Sequence, residues 1–211
     1  ARAKLEPVSR AMAVIEFDLD GTVRSANQNF CAATDYDAAE IVGKHHRMFM
    51  PPDAARSAKY EEFWASLRRG EFVAGEYLRL GKGGKEVWLQ ASYNAVFDDE
   101  GKPYRVVKYA TDITARKSAI NALGDQMQLL AGGNLICAID KAFPDDLDSI
   151  RVAFNDTVHK FNGIIRKLWT DAGCDEAYGR RGRNGINGYE CDIIARRIIE
   201  ADTPYVGFSL T

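Results

Sequence analysis

Glu86-Val87-Trp88-Leu89-Gln90-Ala91-Ser92-Tyr93-Asn94-Ala95-Val96-Phe97, followed by Asp98-Asp99-Glu100-Gly101-Lys102, decides the fold of this chain. In an extended segment Val87, Leu89, Ala91 and Tyr93 share one face, and Trp88, Gln90, Ser92 and Asn94 share the other. Gly81-Lys82-Gly83-Gly84-Lys85 before it and residues 98–102 after it are turns, so residues 72–80 and 104–113 read as neighbouring strands. The face that carries Trp88 mixes an aromatic ring with polar groups. A plain core does not call for that mixture; solvent or a ligand does.

Upstream, Val14-Ile15-Glu16-Phe17-Asp18-Leu19 alternates from residue 15 onward, and Asp20-Gly21 supplies a tight turn into the β-compatible stretch 22–26. Asp-Gly between two such runs is a strong hairpin signal. Asn27 caps a helix over residues 28–34. Asp37 caps a second, short one with Ala38-Ala39-Glu40-Ile41-Val42 as its body and Gly43 as its stop. Pro51-Pro52-Asp53 breaks the chain and opens a helix over residues 54–69, with Tyr60, Phe63 and Leu67 on one face and Gly70 at its end.

The pattern changes after Arg116. Ile120, Leu123, Met127 and Leu130 recur at alternating spacings of three and four, until Ala131-Gly132-Gly133-Asn134 breaks the helix. A connector over residues 135–143 leads to Pro144-Asp145-Asp146, which opens a second helix. Leu147, Ile150, Phe154, Val158, Phe161, Ile165 and Leu168 continue the heptad spacing there. Such stripes need a partner surface, and pairing with a second copy of the chain buries them as a parallel four-helix bundle. The alternative is a two-helix hairpin packed on the first domain. The stretch 179–188 is glycine-rich and basic and reads as flexible, with a helix over residues 189–201 after it.

Composition sets the remaining bounds. The 211 residues suffice for one large domain or two small ones, and a formal net charge of −2 gives no electrostatic case for nucleic acid. There is no apolar run long enough for a membrane span. Cys31, Cys137, Cys174 and Cys191 are widely spaced, without C-x-x-C or an adjacent His cluster, which argues against zinc. Cys31 and Cys137 read as small buried hydrophobes, and the expected compartment is the reducing cytoplasm. The sequence starts without Met, so an excised fragment of a longer protein is expected. Asp18, Asp20 and Gly21 spell a phosphatase-like start, but the antiparallel turn signals contradict the parallel sheet such an enzyme needs, and no acid, base and nucleophile converge.

Asn27-Gln28-Asn29-Phe30, Gly43-Lys44-His45-His46, Phe63-Trp64, Gly70-Glu71, Trp88-Leu89-Gln90-Ala91 and Thr111-Asp112-Ile113-Thr114 fall in the order that PAS modules use. Residues 13–115 thus resemble a PAS domain of bacterial methyl-accepting chemotaxis and aerotaxis transducers. Residues 116–168 resemble a HAMP module, the helix-connector-helix relay of the same receptors. The resemblance implies an α+β fold: an antiparallel five-stranded sheet with flanking short helices, followed by a helical HAMP-like parallel bundle. Residues 1–12 are then an N-terminal helical cap and residues 169–211 an unassigned tail.

The resemblance also implies a pocket between sheet and helices. Asn29, His46, Asp53, Trp64, Trp88, Gln90 and Asn94 are the candidate cofactor-binding residues. Trp faces stack on flat rings and amides read heteroatoms. The aerotaxis branch binds FAD, and His46, Asp53, Trp64 and Trp88 fall where it carries His, Asp, Trp and Trp. Where that branch has an Arg-His pair, this chain has Met50 and Pro51. Haem ligated by His46 or His45, with Lys44 beside them, is the alternative, and absence of any cofactor the third. The light-sensing flavin branch needs a Cys in an Asn-Cys-Arg context; Cys31 follows Asn29-Phe30, which excludes it. Trp64 equally suits core packing, and His159 a helix surface.

The function expected is non-catalytic. A small molecule or redox state is sensed in the PAS pocket and relayed through Thr111-Asp112-Ile113-Thr114 to the helices of a homodimer. The output reaches the chemotaxis kinase and adaptor machinery indirectly. A ligand-free PAS dimerisation scaffold is the alternative.

Overall fold

The structure, a computed structural model, describes residues 10–171. The readings of the 179–188 segment, of a helix over 189–201 and of most of the 1–12 cap lie outside the described residues. Two compact units divide the chain after Lys117.

The first unit is a five-stranded antiparallel sheet in the order β2-β1-β5-β4-β3. β1 (Ala13–Asp18) turns through Asp20-Gly21 into β2 (Val23–Ala26). Gly21 takes φ +91°, and a Cβ there would meet the His45 and Trp64 rings at 2.9 and 3.0 Å, so the turn needs glycine twice over. α1 (Gln28–Thr34) starts at Asn27, whose Oδ1 accepts from the Phe30 N–H at 2.9 Å, as the cap reading anticipates. α2 (Ala38–Ile41) begins on an Asp37/Glu40 capping box.

The expected helix 54–69 divides in two. A 3-10 turn covers Ala54–Arg56, and Ser57 leaves the helical path and caps α3 (Ala58–Arg68) through its side chain. Ser57 Oγ donates to the Ala54 carbonyl and accepts from the Tyr60 N–H. A hydroxyl that satisfies both ends of a break makes the break stable. β3 (Val73–Leu80), β4 (Glu86–Phe97) and β5 (Pro103–Asp112) complete the sheet as the turn signals predict.

Residues 13, 15 and 17 of β1, 87, 89, 91 and 93 of β4 and 106 and 110 of β5 point to one face. They meet Val23, Phe30, Ile41, Phe49, Tyr60, Trp64 and Leu67 in one core. Cys31 is half-buried at the margin rather than inside.

The second unit contains the rest of α4 (Thr114–Ala131) and α5 (Asp148–Asp171). The second helix starts at Asp148, later than Pro144 suggests, because Asp148 accepts from the Phe143 N–H and from Arg151 and so fixes the start. Cys137, Ile139, Phe154 and Val158 form a small core with Leu123, Leu130 and Phe143 against it. Ile120, Met127, Ile150, Phe161 and Leu168 of the heptad stripes remain exposed. No helix among the described residues is long and apolar enough to cross a membrane.

Candidate functional site

His46 is the centre of the first unit. Gly43 N–H donates to the Val23 carbonyl, Val23 N–H to that of Lys44, and His46 N–H to that of Gly21, each at 2.8 Å. These bonds stitch the Gly43-Lys44-His45-His46 segment to β2 and its turn and send the His46 side chain inward, where it is 1% exposed. Its Nδ1 lies 2.9 Å from the Tyr60 hydroxyl and its Nε2 3.2 Å from that of Tyr93. Rings enclose it: Phe17 and Trp64 edge-on at 5.2 and 5.5 Å, Tyr60 and Phe63 stacked at 5.7 and 5.9 Å.

The Tyr93 hydroxyl also accepts from Arg79 Nη2 at 3.2 Å, and the Lys108 ammonium sits 4.9 Å from the Tyr93 ring centre. Arg79 and Lys108 are both buried. Burial pushes the His46 imidazolium well below its usual range, and the charges of Arg79 and Lys108 add to that, so His46 is neutral. One ring nitrogen therefore donates and the other accepts. Burial raises the Tyr93 phenol, but Lys108 and Arg79 outweigh it and the net direction is down. Burial lowers Lys108 despite the support of Tyr93. Tyr60, His46, Tyr93, Arg79 and Lys108 form a continuous polar chain inside an aromatic shell.

The residues predicted for a pocket do not converge on this centre. His46 and Trp64 are inside. The Trp64 indole N–H is buried and approaches the Tyr60 hydroxyl without closing a well-aligned hydrogen bond. Trp88, Gln90 and Asn94 lie on the opposite face of β4, because the odd-numbered residues take the core. Asn29 Nδ2 donates to the Arg10 and Met12 carbonyls and ties down the incoming chain. Asp53 is exposed. Sequence reading missed Tyr93, Arg79 and Lys108. The signal was present: Lys108 falls between Val106 and Ala110 at the two-residue period of a core-facing strand.

Trp88 has a different position. Its backbone N–H donates to Thr114 Oγ1 at 2.9 Å and its carbonyl accepts from the Ile113 N–H at 2.8 Å. The Lys117 ammonium lies 5.1 Å from the indole ring centre and pairs with Glu76 at 2.5 Å. Asp112 Oδ1 accepts from the Thr114 N–H at 2.8 Å. The Asp-Ile-Thr segment is thus fastened to β4 at Trp88, five residues along the strand from Tyr93.

A cleft of about 550 Å³ opens between the β1–β2 turn and α3, with His45, Arg47, Arg56 and Arg68 around Tyr60 and Trp64.

The sheet order, the inward His and the helix that leaves after Asp-Ile-Thr all belong to one architecture, and residues 23–110 match the PAS fold family. These residues form a PAS domain. The chain is 45% identical over 124 residues to biofilm dispersion protein BdlA of Pseudomonas aeruginosa, covering 59% of this chain and 30% of that protein. It is 29% identical over 75 residues to the aerotaxis receptor of Escherichia coli, covering 36% of this chain and 15% of that receptor. The similarity therefore spans less than a third of either relative. A light-oxygen-voltage domain solved in work with a flavin analogue is 21% identical, with a TM-score of 0.47 over 60% of this chain and 96% of its own.

The PAS interior does not fit haem. Axial ligation needs a free imidazole nitrogen, and both nitrogens of His46 are engaged by phenols. His45, whose Nδ1 accepts from the Arg47 backbone and guanidinium at 3.1 and 3.3 Å, lines the open cleft beside Asp20 and Arg47 and does not enter that interior. Nor do the four residues that match the FAD pattern form a set: His46 and Trp64 are inside, Trp88 is on the far face of β4 and Asp53 is in solvent.

Proposed function

We propose that this chain is the sensory and signal-relay region of a bacterial chemotaxis-type receptor. Its PAS interior senses a small molecule or redox state, and its helices pass the result on in a homodimer. The observation that carries the reading is the double duty of β4. On its inner face Tyr93 closes the buried polar chain; on its outer face Trp88 holds Thr114 and Lys117 at the start of α4. A change in the hydrogen bonds of Tyr93 displaces the strand that anchors the exit helix, and packed helices answer a small displacement by choosing between discrete arrangements.

The exposed part of the heptad stripes supports the homodimer, since Ile120, Met127, Phe161 and Leu168 need cover. In this reading the 116–168 helices act as a HAMP-like relay, the setting is cytoplasmic, and chemotaxis kinase and adaptor proteins receive the output. The kinship with an aerotaxis receptor and with a biofilm dispersion protein favours control of bacterial behaviour.

The test is a mass spectrum of small molecules released on denaturing the purified chain, paired with hydrogen exchange at residues 113–117 before and after their removal. One stoichiometric molecule whose loss accelerates exchange at Ile113 and Lys117 is expected. No released molecule and unchanged exchange would leave the ligand-free dimerisation scaffold as the better reading.

A further inference from the structure

This inference rests on the sensing reading above and names the class of ligand that the same interior takes. Arg79, Tyr93 and Lys108 stand on the adjacent strands β3, β4 and β5 and all turn inward. Arg79 is 5% exposed and Lys108 2%. Arginine keeps its proton at any physiological pH, so at least one full positive charge is held away from water. Among the described residues no carboxylate pairs with either cation; the ion pairs that form engage Arg24, Arg69, Lys82, Lys85, Arg105 and other surface groups.

The neighbours of the two cations are neutral. Lys108 lies over the rings of Tyr93 and Phe30, at 4.9 and 5.7 Å from their centres. Arg79 lies 4.7 Å from the Tyr77 ring centre and donates from Nη1 to the Leu78 carbonyl and from Nη2 to the Tyr93 hydroxyl. Its Nε–H is buried and has no partner. Aromatic faces and one phenol offset only part of the dehydration of two cations. The vacant Nε–H belongs to the planar fork with which a guanidinium grips a carboxylate through two parallel bonds.

We infer that the PAS interior binds a small carboxylate-type anion, held by the Nε–H edge of Arg79 and the ammonium of Lys108, with the Tyr93 hydroxyl beside it. Binding neutralises the buried charge and redirects the Tyr93 hydroxyl from His46 toward the anion. That is a change on the strand that anchors α4.

The test is thermal unfolding of the full chain titrated with acetate and butyrate at constant ionic strength, with acetamide and butyramide as neutral controls. A saturable rise in midpoint with the acids alone is expected, together with its loss in Lys108→Met and Arg79→Met. Lys108→Met is also expected to unfold at a higher temperature than the parent without added anion, because an uncompensated buried charge is gone. That readout stands even if Arg79→Met fails to fold.

Equal responses to acids and amides, or an undiminished acid response in Lys108→Met, would overturn the inference. So would the ultraviolet signature of tyrosinate at neutral pH that Tyr93→Phe abolishes, since Tyr93 itself would then supply the missing charge. A neutral molecule released on denaturation would overturn the anion and leave the sensing reading standing. No released molecule and no anion response would end both.

Discussion

The two units of this chain solve the same problem differently. The PAS unit closes its own core: Phe17, Phe30, Ile15, Leu89 and Tyr93 are essentially inaccessible, and sheet and helices leave little apolar surface uncovered on that side. Among its described residues the helical unit has a core of only Cys137, Ile139, Phe154 and Val158, and it leaves Ile120, Met127, Ile164 and Leu168 more than half exposed. A sheet with helices on one face can complete a core alone. Two helices expose more apolar stripe than they can hide from each other. The first unit therefore completes its core from its own residues, while the second leaves apolar stripe uncovered.

The sharpest way to break that contrast is to empty each core in turn. Phe17→Ala is expected to cost about 3–5 kcal/mol of PAS-unit stability in denaturant titrations, since its ring contacts His46, Trp64 and Tyr93. Phe154→Ala should cost less, toward the lower end of that range because its core is small, and the helical unfolding midpoint should rise with protein concentration. Equal losses, or a midpoint indifferent to concentration, would show that the second unit is as self-sufficient as the first.

A smaller effect comes from pH. The folded His46 has a proton affinity depressed well below the ordinary value of 6.5. Below that value the unfolded chain takes up a proton that the folded chain refuses, so stability is fully present above about pH 6.5 and is lost as pH falls toward the depressed folded value. The slope contributed by this one site approaches about 1.4 kcal/mol per pH unit. His46→Gln should remove that part of the slope between pH 6.5 and 5. An unchanged slope would mean that the ring is protonated in the folded domain.

The smallest effect sharpens the link between sheet and helix. Thr114→Val deletes the acceptor of the Trp88 N–H and should cost about 1 kcal/mol. Amide exchange should accelerate at Trp88 and Thr114 and stay unchanged at Phe17 and Ile15. If the change spread evenly through the sheet, the fastening would be part of the core and not a separate joint.

The strands, their turns and both capped helices were legible because each has a local cause. Alternation, Asp-Gly, glycine-lysine turns and capping side chains act over a few residues. The division of the 54–69 helix was not legible, because Ser57 satisfies the break from both sides only once the backbone has turned. Of the predicted pocket, His46 and Trp64 were placed inside by motif order. Trp88, Gln90 and Asn94 share the face turned away from the core, and alternation reveals two faces without saying which one meets the helices.

The amino-acid order alone determined that a five-stranded antiparallel sheet would form and that heptad helices would follow it, because periodicity and turn chemistry are short-range properties. Only tertiary structure decided that Tyr93, His46, Arg79 and Lys108, drawn from four separate elements, would meet in one buried interior. Their partners lie between 14 and 47 residues apart along the chain, and contacts over such separations depend on how the sheet curls around its helices.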